Sequence, residues 1–380
     1  MVRMTKDRWT AVAMITPSII LLAIFVYGFI AQTAWTSVTN WGNPDAAASL
    51  AEHPVIDFVG LKNYQTLFTG FSPRFRLDLV NEVFFTALFL AACLGLGLLM
   101  AVLLDQKVRG ESVFRTIFLF PMALSFVVTG TIWRWLFAPN GGLNVLPSSI
   151  AHAFSPDSPI TPLPFEWFTS KSKLLTMNWH DVLTIVGVAI LLAMFAVVST
   201  TWFKQRNLAI ITLVILSSVA GVFIIGASNI PSYVANEVHG LNVAIISIVI
   251  AATWQMSGYT MAIYLAGLRG IPEELREAAR VDGATEFQVY RYVILPMLQP
   301  ITLSAAIILG HISLKIFDLV YVMAADGNLQ VDVPGVNMYL TAFRANNFAL
   351  GSAIAMIMLL LVAVIIVPYL YTSLRGEKHA

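Results

Sequence analysis

The groups in this chain that could do chemistry lie in three short stretches. One is inside an apolar run near 300–323, where Gly310-His311-Ile312-Ser313-Leu314-Lys315-Ile316-Phe317-Asp318 brings charge into a hydrocarbon-like segment. His311, Lys315 and Asp318 stand at i, i+4 and i+7, which places them on one face of a continuous helix. A charge at mid-bilayer costs about 2.5–3.5 kcal/mol on insertion scales, so such groups face a cavity or a partner. Lys315 and Asp318 can neutralise each other at i, i+3, or the three residues can line a polar path. A second stretch, Trp254-Gln255-Met256-Ser257-Gly258-Tyr259, breaks another apolar run near 242–266. Its Gly and Ser also permit close helix packing. The third is the polar segment 267–299, the longest between the later apolar runs.

None of these is a catalytic constellation. The chain has no G-x-x-x-x-G-K-[ST] phosphate loop, so it does not bind ATP by that route. It has no H-E-x-x-H and no metal-spaced His/Cys cluster. Its histidines, His53, His152, His180, His239, His311 and His379, are scattered. Catalytic residues: none; metal ligands: none; resident cofactor: none. The energy for any active process must come from another subunit.

The elements that position these groups follow from composition. Of 380 residues, 58% are hydrophobic and 11% charged, against roughly 45–50% and about 25% in soluble domains. That excludes a set of water-soluble domains and predicts an all-α, polytopic membrane protein. The net charge of +1 gives no basic face for nucleic acid. The single cysteine, Cys93, can form no internal disulfide. A crossing helix needs about 20 mostly apolar residues. Eight runs qualify, near 10–35, 82–104, 114–137, 182–202, 208–228, 242–266, 300–323 and 350–373. The first is too long for a signal-peptide core and reads as an uncleaved anchor.

Lys and Arg set the orientation. One set of loops holds Arg3, Lys6, Arg8, Lys107, Arg109, Arg115, Lys204, Arg206, Arg269, Arg276, Arg280, Arg291, Arg375 and Lys378. The opposite set holds Lys62, Arg74, Arg76, Lys171, Lys173 and Arg344. The first set is much the larger, so both termini are predicted to be cytoplasmic. Segment 138–181 then lies outside. Its prolines, Pro139, Pro147, Pro156, Pro159, Pro162 and Pro164, oppose regular helix. Arg134, near the end of the third run, is expected to snorkel to the interface.

Segment 267–299 becomes an inner loop. Pro272 followed by Glu273 and Glu274 suits a helix start. Glu277-Ala278-Ala279 gives a short helix with a small face, and Gly283 can end it. A second amphipathic helix is predicted with Phe287, Tyr290 and Val293 or Ile294 on its apolar face. A short helix across the ends of the spans, small and acidic on its surface, suits close approach by another protein.

These residues resemble a known motif. Glu277-Ala278-Ala279, three residues, Gly283, nine residues, Val293-Ile294-Leu295-Pro296 is similar to the EAA loop of ABC-importer permeases, with Val293 where Ile is usual. Asp282-Gly283-Ala284 matches the carbohydrate-importer version. Phe58-Val59-Gly60-Leu61-Lys62-Asn63-Tyr64, Phe120 to Ser125, Trp133-Arg134-Trp135, Gly142-Leu143-Asn144 and Ala266 to Pro272 also resemble that family. Together they cover about two-thirds of the chain and look like the maltose-type subunit, with details closest to glucose/mannose-type and then α-glucoside importers.

The resemblance implies a type I ABC importer permease fold, multi-pass in the cell inner membrane. It implies a second homologous permease subunit, two copies of a cytoplasmic ABC ATPase that carry the ATP and Mg, and an extracytoplasmic sugar-binding protein. Glu277, Ala278, Ala279, Asp282 and Gly283 then form the ATPase-coupling helix. Met256 and Tyr259 match sugar-contact positions, as do His311 and Lys315; Asp318 joins them on its face. The chain divides into an anchor helix and first outer loop (1–81), first core helices (82–137), an inserted outer loop with an extra helical hairpin (138–241) and a core permease segment with the coupling loop (242–380). The insertion departs from the usual six spans. The competing class is an ion-coupled secondary transporter with Lys315 and Asp318 as relay, which predicts inverted repeats that the sequence does not show.

Overall fold

The computed structural model describes residues 6–43, 56–106, 109–168, 237–324 and 330–376, with scattered positions between 170 and 234 and residue 328. The predicted spans at 182–202 and 208–228 lie almost wholly outside these. The described chain is helical, with isolated bridges and no extended sheet among the described residues. It forms two units, residues 1–70 with 334–364, and residues 71–333 with 365–380.

In the first unit, α1 (6–37) carries a π-helical stretch at Ala23–Gly28. Its most apolar 18-residue window has no buried residue, as expected of a helix that faces lipid or another chain, and Thr36 and Ser37 are buried only at its end. Helix α2 (Lys62–Thr69) closes back on its end. The Asn63 amide donates to the Ser37 and Thr39 carbonyls at 2.8 and 2.7 Å, and the Tyr64 and Ser37 hydroxyls are 2.7 Å apart. The Phe58–Tyr64 motif is therefore a clasp for carbonyls that α1 leaves without intrahelical donors.

The second unit holds α3 (Arg74–Asp105), α4 (Glu111–Leu119), α5 (Phe126–Leu136), α6 (Gly142–Phe154), α7 (Val243–Gly270), α8 (Glu273–Val281), α9 (Glu286–Met297), α10 (Gln299–Ser313) and α11 (Asp318–Ala324). Helix α7 is central: 67% of its apolar window is buried. It crosses α3 where Gly97 meets Thr260, whose hydroxyl donates to the Cys93 carbonyl at 2.8 Å. Small residues at the crossing let two backbones approach, as in membrane bundles generally.

The third predicted span, 114–137, is not one rod. Helices α4 and α5 meet at 100°. Pro121 lies in a 3-10 turn, Phe120–Ala123, and Ser125 starts a new helix by accepting from the Val128 amide. The Gln255 side chain of α7 donates to the Leu124 carbonyl exposed by the break, at 2.8 Å. The run 300–323 is also interrupted, at 314–317 between α10 and α11. The proline-rich segment corrects a third expectation, since α6 forms within it with Pro147 inside. Its Asn144 amide donates to the Phe165 carbonyl at 2.8 Å, and Trp167 Nε1 donates to Asn144 Oδ1 at 3.1 Å. The remaining prolines lie in irregular chain, folded so that Trp167 packs on Phe137 at 4.4 Å.

In the first unit again, α12 (Pro334–Tyr339) leads to the start of α13 (Phe348–Gly376). The Trp41 carbonyl accepts from the Ala349 amide at 2.9 Å, and Trp41 packs on Phe348 at 5.2 Å.

Candidate functional site

Helix α8 and its flanks form the better defined site. Pro272 precedes the first turn, which carries Glu273 and Glu274 at the positive end of the helix. Gly283 adopts φ +84°. The Gly283 amide donates to the Arg280 carbonyl and the Ala284 amide to the Ala279 carbonyl, both at 3.0 Å. That pair of bonds is the Schellman closure, which needs a left-handed residue at the glycine position. The EAA spacing thus has a backbone reason: Ala279 and Ala284 stand where the motif's two ends bond. Thr285 then begins α9 with a capping box shared with Gln288. Arg280 reaches Glu286 at 2.7 Å and Glu273 at 3.2 Å across the turn, which holds its guanidinium charged and keeps the Glu286 carboxyl below its usual range.

The faces of α8 separate cleanly. Glu277, Ala278, Val281 and Asp282 are exposed, whereas Ala279 packs against the protein. Beneath it lies a core built from Ala101 and Leu104 of α3, Met261, Tyr264, Leu265 and Leu268 of α7, and Val289 and Ile294 of α9. On the predicted apolar face of α9, Tyr290 and Ile294 pack on this core, but Phe287 does not. Phe287 is 72% exposed, while Val289 and Ile294 are buried. A π-helical segment, Tyr290–Ile294, inserts an extra residue and rotates the buried stripe away from a 3.6-residue period.

The intramembrane candidates are less concentrated. Met256 is buried and Tyr259 half-buried on α7; His311 is half-buried near the end of α10. Lys315 is exposed in the break and Asp318 is exposed at the start of α11. The shared face predicted for His311, Lys315 and Asp318 does not form, because the helix stops at Ser313 and restarts at Asp318. Among the described residues, Lys315 and Asp318 form no ion pair. The five candidates are thus divided between α7 (Met256 and Tyr259), α10 (His311), the break (Lys315) and α11 (Asp318). Arg134 remains exposed and donates to the Val322 carbonyl at 3.3 Å.

Several polar groups escaped the sequence reading. Glu82 of α3 is 3% exposed and lies 3.3 Å from the Thr86 hydroxyl, which is 3.0 Å from the Ser313 hydroxyl at the 314–317 break. Arg76, 1% exposed, pairs with Glu237, which also accepts from Trp179. His239 is buried beside them, and burial pushes it down to about 4 despite the Glu237 charge. Arg74 pairs with Asp332 at 2.6 Å. Apart from the Glu82–Thr86 and Glu237–His239 contacts, each pairing joins residues more than 50 positions apart, so no local spacing marks it.

A profile of the family described as "Binding-protein-dependent transport system inner membrane component" matches residues 93–376, which include α7 to α11 and the whole α8 turn. The chain belongs to this family. This transport component is multi-pass and is not an enzyme. It is 34% identical to a probable ABC transporter permease protein of Pyrococcus horikoshii over 99% of this chain and 100% of that one. It is 27% identical to the xylose/arabinose import permease protein XacH of Haloferax volcanii, over 93% and 84% of the two chains. In fold it resembles a solved bacterial alginate ABC transporter, in complex with an alginate pentasaccharide-bound periplasmic protein. That match has TM-score 0.63 at 16% identity and covers 98% of this chain and 96% of the other.

Proposed function

We propose that this chain is the permease subunit of an ATP-driven sugar importer. It pairs with a second homologous permease and two copies of a cytoplasmic ATPase, and it receives sugar from an extracytoplasmic binding protein. The observation that carries this reading is α8. A short helix, closed at its C-terminal end by its own backbone, presents Glu277, Ala278, Val281 and Asp282 outward while Ala279 is seated on the core of α3, α7 and α9. Such a projection suits insertion into a partner that pushes. The concentration of Lys and Arg in one set of loops supports a cytoplasmic position for α8 and both termini.

Sugar passes between helices near Met256, Tyr259, His311, Lys315 and Asp318. The half-buried Tyr259 offers a ring face and a hydroxyl, which together suit a sugar. The cargo is a glucose- or mannose-like monosaccharide or an α-glucoside, a reading supported by the likeness of segments 121–130, 309–320 and 367–371 to such importers. The test is reconstitution of the permease pair, ATPase and binding protein in vesicles. Uptake should require ATP and binding protein. Uptake that ignores ATP and collapses with an ion gradient would overturn the proposal in favour of an ion-coupled carrier. Binding of glucose, mannose and maltose to the isolated binding protein tests the cargo.

A further inference from the structure

We propose that Asp105 and Arg276 are the positioning pair through which α8 moves as one body with the adjoining ends of α3 and α7, an inference that rests on the coupling role proposed for α8. Arg276 is the charged residue of α8 that turns back into the protein. Its Nη1 donates to Asp105 Oδ2 at 2.8 Å and its Nη2 to the Leu268 carbonyl at 2.8 Å. Only 11% of the Arg276 side chain and 10% of the Asp105 side chain are exposed. One guanidinium therefore joins three elements: the middle of α8, the last residue of α3 and the last turn of α7.

The chemistry suits the place. The last four carbonyls of a helix lack intrahelical donors, and Leu268 lies two residues from the end of α7 at Gly270. A cation there also meets the negative end of the helix dipole. Arginine's planar fork can hold a carboxylate and a carbonyl at once, which the point charge of lysine cannot do with equal geometry. The pair sits over the core that contains Leu104, Leu268 and Ile271, so the polar brace and the apolar contacts bind the same three pieces.

The other ionic contacts of α8 are different in kind. Arg280 and its partners Glu273 and Glu286 are all more than 40% exposed, and exposed pairs are weak and salt-screened. They join α8 to its own chain neighbours across the turn and reach neither α3 nor α7. Covalently, α8 is joined to α7 only through Ile271 and Pro272. A push on the outward face of α8 reaches α3 through Arg276 and the core beneath it.

The experiment uses the whole importer in proteoliposomes, with binding protein and ATPase present. ATP hydrolysed per sugar imported is measured with glucose, mannose, xylose and maltose as probes, using those the wild type imports. Asp105→Asn and Arg276→Met are each expected to retain the ATPase in the complex, keep binding-protein-stimulated hydrolysis and raise ATP per sugar several-fold. Arg276→Lys should fall between Arg276→Met and wild type. The double variant Asp105→Asn/Arg276→Met should be no worse than the worse single, since both remove one contact. An unchanged ATP-to-sugar ratio in both singles would overturn the proposal, as would losses that multiply in the double variant. Release of the ATPase from Arg276→Met would also overturn it, by making Arg276 a docking residue. If the wild type itself shows no ATP-dependent uptake, the importer reading fails first, and the two failures are distinguishable.

Discussion

Replacing Gly283 separates backbone conformation from space in the α8 turn. A Cβ at Gly283 would meet no atom within 4 Å, yet its φ is +84°. The cost of a side chain there is thus conformational. For an L-residue the left-handed region costs roughly 1–2 kcal/mol; asparagine tolerates it better, and a β-branched residue tolerates it worst. The expected order of function is Gly, then Asn, then Ala, then Val. A loss of about 1.4 kcal/mol corresponds to about a tenfold shift in an equilibrium, here that between the closed turn and an α8 with a frayed end. Gly283→Ala should therefore reduce coupled uptake by several-fold to about tenfold, and Gly283→Asn by clearly less. The assay is ATP-dependent uptake in vesicles, normalised to permease content by immunoblot, with ATPase activity measured in parallel. Equal activity in Asn, Ala and Val would show that the Schellman closure is dispensable. Asn as inactive as Val would show that space or a partner contact, rather than φ, dictates the glycine.

Other substitutions probe the scaffold. Gly258→Ala would put a Cβ 1.9 Å from the Phe118 carbonyl oxygen, so α7 and α4 must part at a cost of about 1–3 kcal/mol; thermal unfolding in detergent should show a lowered midpoint. Glu237→Ala removes this partner from the buried Arg76, and breaking a buried pair from one side costs about 3–5 kcal/mol. The double variant Arg76→Met/Glu237→Leu should be more stable than Glu237→Ala in the same assay. His239 is held at about 4 by burial, below its unfolded value, so its stability contribution is full above about pH 6.5 and is lost as pH falls toward 4. Thermal midpoints should drop across that window, and the drop should shrink in His239→Phe. Asn63→Asp replaces two buried amide–carbonyl bonds with repulsion and should expose the end of α1 to proteolysis, more than Asn63→Ala does.

Much of the α8 site was legible because it is local. The proline and acids at 272–274, the Ala279 to Ala284 spacing and the glycine at 283 each act within one turn of chain, and the structure uses all of them. The intramembrane candidates were legible as residues and misread as an arrangement. A common face needs an unbroken helix from 300 to 323, and the stop at Ser313 removes it. On α9 the predicted face holds for Tyr290 and Ile294 and misses at Phe287, since a π turn changes the period. Asp105 directly follows the apolar run 82–104, and nothing near it in sequence points to Arg276.

What the sequence determined by itself was membrane residence, through apolar excess, and the ends of the short polar helix, through capping chemistry that acts over a few residues. Tertiary structure alone decided where spans break and which charges are paired. A break depends on a neighbour able to satisfy the freed carbonyl, as Gln255 does for Leu124. A buried charge depends on a partner brought from far along the chain, as Glu237 is to Arg76 and Arg276 to Asp105. Both are packing outcomes, and the spacing of residues in one chain carries no record of them.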